Sequence, residues 1–264
     1  MKADFIAIWF LSVTLISINF HLLKNLFMLY INLISSPRNI STALMYSFAQ
    51  RNDTVVLDEP FYAFYLLSSG ANHPGKEDVL QSQSNDEEVV KKEIFSIRDK
   101  EVVFIKNMSH HLEVMDESFV DDVVNIFFIR DPRQIIASYA QVIDKPIMRD
   151  IGVEYQFNLW QKLIEKNKNP IVLDAGNLLK NPPSVLMQLC ARIGIPFQQS
   201  MLTWPPGPKP YDGVWAPYWY SNVHRSTGFE KQTSSSRPLP AHLEDLYEHA
   251  KALYGKMLPF SIQP

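Results

Sequence analysis

The chain has one cysteine, Cys190, in 264 residues. A single thiol excludes an intrachain disulfide and any cysteine-cluster metal site. It also goes with a reducing compartment. Charge of one sign is lacking too: 25 Lys and Arg face 28 Asp and Glu, for a formal net charge of -3. Bulk charge therefore carries no footprint of nucleic-acid binding, and no nucleic-acid partner is expected. The seven histidines have no metal-ligand spacing. His110 and His111 are adjacent, and adjacent helical residues point in different directions, so no metal site is expected. Gly-Lys-Ser/Thr is absent as well, which removes the cation cradle of a phosphate-loop kinase or NTPase.

A bilayer-length apolar run is missing. Phe5 to Phe20 is apolar apart from Ser, Thr and Asn19, but a span needs about 20 such residues. No small-x-small cleavage site follows it. Residues 1–27 read as an apolar extension upstream of a natural start at Met28. An N-terminal membrane anchor or a packed helix are the alternatives, and any membrane contact is confined to this stretch. Residues 28–264 read as a single cytoplasmic domain, with no internal repeat and no boundary.

What is present is an ordinary globular composition, 46% hydrophobic and 20% charged, enough for a full core. Strands are expected at Leu29–Ile34, Thr54–Leu57, "EVVFIK", Val123–Ile129 and "PIVLDA". Helices are expected at Ser41–Gln50, "FYAFYLL", Glu87–Ser96, after Asp131-Pro132, at Glu154–Lys166, Pro182–Ile193 and His242–Lys256. Asp suits an N-cap and Pro the first helical position; Gly194 and Pro196 end a helix. "SSGANHPGKEDVLQSQSNDEE" reads as loop. Met201 to Pro238, rich in Pro, Trp and Tyr, shows little periodicity. Alternating strands and helices, with continuous apolar strands, predict an α/β three-layer sandwich around a mainly parallel central sheet.

Two stretches carry chemistry. In "INLISSPRNISTALMYSFAQR" an apolar strand ends and a helix begins at Ser41. Backbone N–H groups and the helix dipole converge on such a turn and bind anions. Arg38 adds a bidentate cation, and Ser41 and Thr42 add hydroxyls; the plain alternative is a Ser-capped turn. In "RDPRQIIASY" Arg130 stands at a strand's carboxyl end and Ser138 two turns into the next helix. Ligands of open parallel sheets bind at those ends, so the pair suits a second phosphate.

"RDPRQIIASY" resembles the 3′-phosphate motif of sulfotransferases, and "SPRNISTAL" resembles their 5′-phosphosulfate loop. "DAGNLLKNPPSVLMQLCARIGIPF" is similar to a downstream segment of that family, and the likeness spans Met28 to Phe229. The resemblance implies a phosphate-loop-NTPase-like sulfotransferase fold of bacterial type. It implies PAPS (3′-phosphoadenosine-5′-phosphosulfate) as co-substrate, with no metal. The loop Arg38, Asn39, Ile40, Ser41 and Thr42 would then meet the 5′ phosphosulfate, and Arg130 and Ser138 the 3′ phosphate. "VHRSTGFE" resembles the loop that covers adenine, which brings in Arg225 and Gly228. One position departs from the pattern: Ile40 stands where the family has Gly. Gly permits φ > 0, so an Ile is expected to take an ordinary backbone conformation and reshape the loop.

Sulfuryl transfer needs a base within reach of the acceptor proton. Glu59 ends the second strand, beside the first loop if those strands are neighbours, and "DEP" resembles the "GEP" segment of trehalose-type sulfotransferases. His110 and His111 lie roughly where cytosolic sulfotransferases carry a histidine. Lys106, at the third strand's tip, is placed to stabilise the transferring group; a solvated surface lysine is the plain alternative. The acceptor is expected to be a small-molecule or carbohydrate hydroxyl or amine. The rivals are an inactive nucleotide-binding relative and a phosphate-loop kinase or NTPase. Sequons at Asn39, Asn52 and Asn107 read as chance matches.

Overall fold

A computed structural model describes residues 28–143, 145–230 and 237–264. The expectations for residues 1–27 fall outside it. Five strands form one parallel sheet: β1 (Leu29–Ser35), β2 (Thr54–Asp58), β3 (Val102–Met108), β4 (Val124–Ile129) and β5 (Ile171–Asp174). Their order is β2-β3-β1-β4-β5. In register, Leu33 faces Lys106 on β3 and Ile126 on β4.

The strands are apolar on both faces, and period two divides them. Ile31, Leu33, Phe104, Ile126, Phe128 and Leu173 pack under the helices Ser41–Ala49 and Pro182–Ile193. Ile34, Val103, Ile105, Phe127, Ile129 and Val172 pack under Glu87–Ser96 and Val153–Glu165. Two cores on opposite faces of one sheet make three layers, as continuous apolar strands require. Three buried asparagines interrupt them. Asn107 donates to Asn32, and Asn32 donates to Asn125 (2.9 and 3.0 Å). Each amide so placed meets another, which keeps most of these polar atoms tolerable inside the sheet, with Asn107 Oδ1 left without a partner among the described residues.

Three expectations need correction. β1 and β2 are not neighbours, because β3 lies between them. Glu59 therefore sits beside β3, with its N–H donating to the Lys106 carbonyl (2.8 Å). The polar stretch after Ser68 is not all loop, since Lys76–Ser82 is helical and buries Val79. One apolar contact is too little to leave a periodic signal. Within Met201–Glu230 the aromatics are packed: Trp215 and Tyr220 are buried with Ala216 of the short helix Ala216–Trp219, and Trp204 joins the core under Ser41–Ala49.

Asn39 and Asn107 are buried, so two of the three sequons are closed to a glycan. Among the described residues, no helix is long and apolar enough to cross a membrane.

Candidate functional site

β1 and β4 are adjacent, and the helices that follow them pack on different apolar clusters. The crevice between their carboxyl ends is the position where open parallel sheets bind ligands. A cavity of about 610 Å³ opens there. The site residues singled out from the sequence all line it: Arg38, Asn39, Ile40, Ser41, Thr42, Glu59, Lys106, His110, His111, Arg130, Ser138, Arg225 and Gly228.

The first wall is the turn after β1. The helix Ser41–Ala49 begins with no side-chain cap and no acid in its first turn. Its leading N–H groups are thus not met by a capping side chain, an arrangement suited to an anion. By contrast, Asp131 caps its helix through the N–H of Arg133 (2.9 Å). Ile40 is in the left-handed region, φ 52°, ψ 19°. This overturns the expectation of an ordinary backbone. The turn keeps a glycine-like shape and accepts the strain, because Ile40 packs against the core beneath the sheet. Arg38 (φ 61°) and Glu59 (φ 46°) are also left-handed. Among the described residues only Asn167 joins them outside glycine, and Asn tolerates that region. Backbone strain is therefore concentrated on the cavity.

The second wall joins the two phosphate motifs directly. Arg38 Nε donates to Ser138 Oγ (3.0 Å) across 100 residues of sequence. Arg130 donates to the Arg38 carbonyl (2.9 Å) and to Gln134 Oε1 (2.7 and 3.0 Å). Burial lowers the pKa of both guanidinium groups; Arg237 beside Arg38 and Arg38 beside Arg130 add repulsion. Cations packed this closely are what an anion would relieve.

The third wall is a buried charge network at the tips of β2 and β3. Lys106 Nζ donates to Asp58 Oδ1 (2.7 Å), Glu59 Oε1 (2.5 Å) and Tyr220 OH (2.7 Å). Tyr220 OH donates to Asp58 and accepts from Trp215 Nε1 (3.1 Å). The main-chain N–H of Gly213 closes on Asp58 Oδ2 (3.0 Å). Lys106 is 1% exposed, which excludes a solvated surface role. An ammonium has three protons, and all three have acceptors here. Lys106 is thus held by Asp58, Glu59 and Tyr220 in this structure. Burial, with Asp58 alongside, pushes Glu59 up to about 6 against the pull of Lys106.

His110 does not face Glu59; its ring sits edge-on to Tyr65 and to His111. Burial pushes the His110 imidazole down to about 3. It is His111 that approaches the carboxylate, with Nδ1 at 3.8 Å from Glu59 Oε2. At the far end Arg225 donates to Asn222 (2.6 Å). Gly228 pairs with Thr203 as an antiparallel bridge, and a Cβ there would crowd the Leu202 carbonyl at 3.0 Å.

A family model described as a sulfotransferase domain matches residues 29–259. The chain belongs to the sulfotransferase domain family. Two Arabidopsis thaliana proteins, branched-chain-amino-acid aminotransferase-like proteins 1 and 2, are 39% and 37% identical to it over 223 residues. Those residues are 84% of this chain and 40% of each relative, so the chain spans about two fifths of their length. The sulfotransferase domain from the Synechococcus PCC 7002 olefin synthase has a TM-score of 0.54 at 14% identity, covering 89% of this chain and 96% of that one. At that identity the likeness shows the fold. The sulfotransferase domain from the curacin biosynthetic pathway, also 14% identical, has a TM-score of 0.49 and covers 90% and 99%.

Sequence reasoning passed over several residues of this candidate site. Asp58 in "DEP" and Gln134 in "RDPRQIIASY" were given no role, and Arg237 lies in no motif. Tyr220 stood in the sequence only as one aromatic among many. Asp58 and Tyr220 meet Lys106 from distant segments, Arg237 adds its charge beside Arg38, and Gln134 holds Arg130 from one helical turn away.

Proposed function

We propose that the chain transfers a sulfuryl group from PAPS to a hydroxyl of a small-molecule or carbohydrate acceptor. The observation that carries this reading is the Arg38–Ser138 hydrogen bond. It makes the two anion-binding motifs one continuous surface, suited to a nucleotide with phosphate groups at both ends. PAPS is a substrate that these residues suit. The N–H groups at the start of the Ser41–Ala49 helix, with Arg38, Ser41 and Thr42, would hold the 5′ phosphosulfate. Arg130 and Ser138 would hold the 3′ phosphate, with Arg225 and Gly228 closing over the base.

Glu59 serves as the base. Its Oε1 is fixed by Lys106, which leaves Oε2 to take the acceptor proton. With its pKa near 6, the carboxylate is ionised at neutral pH yet close enough to operating pH to act well. As the proton moves to Glu59, the acceptor oxygen bonds to sulfur and the sulfur–oxygen bond to the 5′ phosphate breaks. The helix N-terminus and Arg38 then stabilise charge growing on the leaving phosphate.

The rival kinase reading has no support in the cation geometry. The lysine at the site is already committed to three acceptors, and no Gly-Lys-Ser/Thr turn supplies another. A thermal-shift titration separates the readings. Adenosine 3′,5′-bisphosphate is expected to raise the melting temperature while ATP with Mg²⁺ does not. Stabilisation by ATP with Mg²⁺ alone would overturn the proposal, and no response to either would favour a non-enzymatic relative.

A further inference from the structure

The inner end of the cavity holds two polar atoms that face each other without touching. Glu59 gives Oε1 to Lys106 (2.5 Å) and, at longer range, to Tyr220 OH (3.5 Å). Its Oε2 looks across 3.8 Å at His111 Nδ1, beyond hydrogen-bond reach. His111 is 1% exposed. Its Nδ1 has no hydrogen-bond partner among the described residues, a costly state for a buried polar atom. The ring cannot easily turn away. It stacks on Tyr62 at 4.5 Å and 16° and on Tyr65 at 4.7 Å and 28°. Tyr62, Trp215 and Trp219 line the same cavity.

We infer that Glu59 Oε2 and His111 Nδ1 together grip the acceptor's hydroxyl oxygen, and that this pair selects an uncharged alcohol over an amine. The inference rests on the sulfuryl-transfer reading above and names its acceptor class. An oxygen about 2.8 Å from both atoms lies about 2 Å off the line between them, an ordinary hydrogen-bonding position. The tautomer follows from charge. A carboxylate oxygen facing Nδ1 attracts a proton there and repels a lone pair. His111 is kept neutral, because burial and the neighbouring His110 hold its pKa well below the usual range. The imidazole therefore donates from Nδ1.

An alcohol oxygen answers each demand. Its proton goes to Glu59 Oε2, one lone pair accepts from His111, and the other forms the bond to sulfur. The sulfur–oxygen bond to the nucleotide breaks, its electron pair leaves on the 5′ phosphate, and no oxidation state changes. A neutral amine has a single lone pair. Once that pair is committed to sulfur, the His111 N–H is left buried and unanswered. An anionic acceptor would meet the Glu59 carboxylate, and Lys106 has no proton left to offset it. The surrounding Tyr and Trp rings suit an apolar or sugar-like skeleton.

Long-range proton–nitrogen NMR on the full chain reads the His111 tautomer directly, assigned by comparison with His111→Leu. A proton on Nδ1 is expected, and a proton on Nε2 alone overturns the inference. Turnover of labelled PAPS is then followed with benzyl alcohol and aniline, both uncharged at neutral pH. The wild-type chain should prefer the alcohol. His111→Leu should lower alcohol kcat roughly 10- to 100-fold while leaving the bisphosphate Kd unchanged. His111→Asn, whose amide N–H lies where Nδ1–H was, should restore most of that loss. A preference for aniline, or equal losses on both acceptors, overturns the inference. Failure of the wild-type chain to bind bisphosphate would refute the donor reading instead, and the tautomer would still decide the pair.

Discussion

Replacing Ile40 by glycine sets three terms of similar size against one another. The left-handed backbone at φ 52° costs an L-residue about 1–2 kcal/mol, and glycine removes that cost. Glycine loses more conformational freedom on folding, which takes back about 0.5–1 kcal/mol. The Ile40 side chain is half-buried against the lower core. Half of a full burial of about 1.5–3 kcal/mol is about 1 kcal/mol lost. The sum lies near zero, so the variant should stay within about 1 kcal/mol of the parent. A buried Ile truncated on an ordinary backbone would instead lose about 2–5 kcal/mol. Urea unfolding at constant m-value measures the difference. The helix start and Arg38 are untouched, so the bisphosphate Kd should change by no more than about threefold. A loss above about 2 kcal/mol would refute the claim that strain at Ile40 offsets its packing.

Four further outcomes are expected. Glu59→Gln should reduce kcat by about 10²–10⁴-fold and leave bisphosphate binding intact; in the parent, kcat/KM should fall below a pH of about 6 rather than near 4.5, the position of the raised carboxyl. Stability should run against that trend. Folded Glu59 holds its proton up to about 6 against 4.5 for the ordinary group, so the folded chain binds more protons in that window and loses about 2 kcal/mol as pH rises through it; denaturant curves of Glu59→Gln should lack this loss. Lys106→Met should destabilise by about 3–5 kcal/mol, because Asp58 and Glu59 are left buried without their cation, and any residual activity should show its acid limb above 6. Arg38→Ala should weaken bisphosphate binding about 10- to 100-fold by calorimetry, the scale of a charge-assisted hydrogen bond, with the far-ultraviolet circular dichroism unchanged.

Local pattern was enough to determine the five strands, the principal helices and the two strand-to-helix turns proposed to bind anions. Strand apolarity and the Asp131-Pro132 start signal depend on residues close in sequence, so they can be read along the chain. The Arg130–Ser138 spacing is also local, since it needs only one strand end and two turns of helix. What tertiary structure decided is everything that depends on pairs far apart. Strand order placed β3 between β1 and β2, which put Glu59 against Lys106 instead of beside the first loop. Packing below the sheet held Ile40 in a conformation that its own side chain disfavours. Burial ruled out the solvated-lysine alternative for Lys106 and tied it to Glu59, Asp58 and a tyrosine 114 residues away. The choice between His110 and His111 was likewise out of reach of the sequence. The two share one spacing and one residue type, and only the stacking on Tyr62 and Tyr65 turns His111 towards the carboxylate.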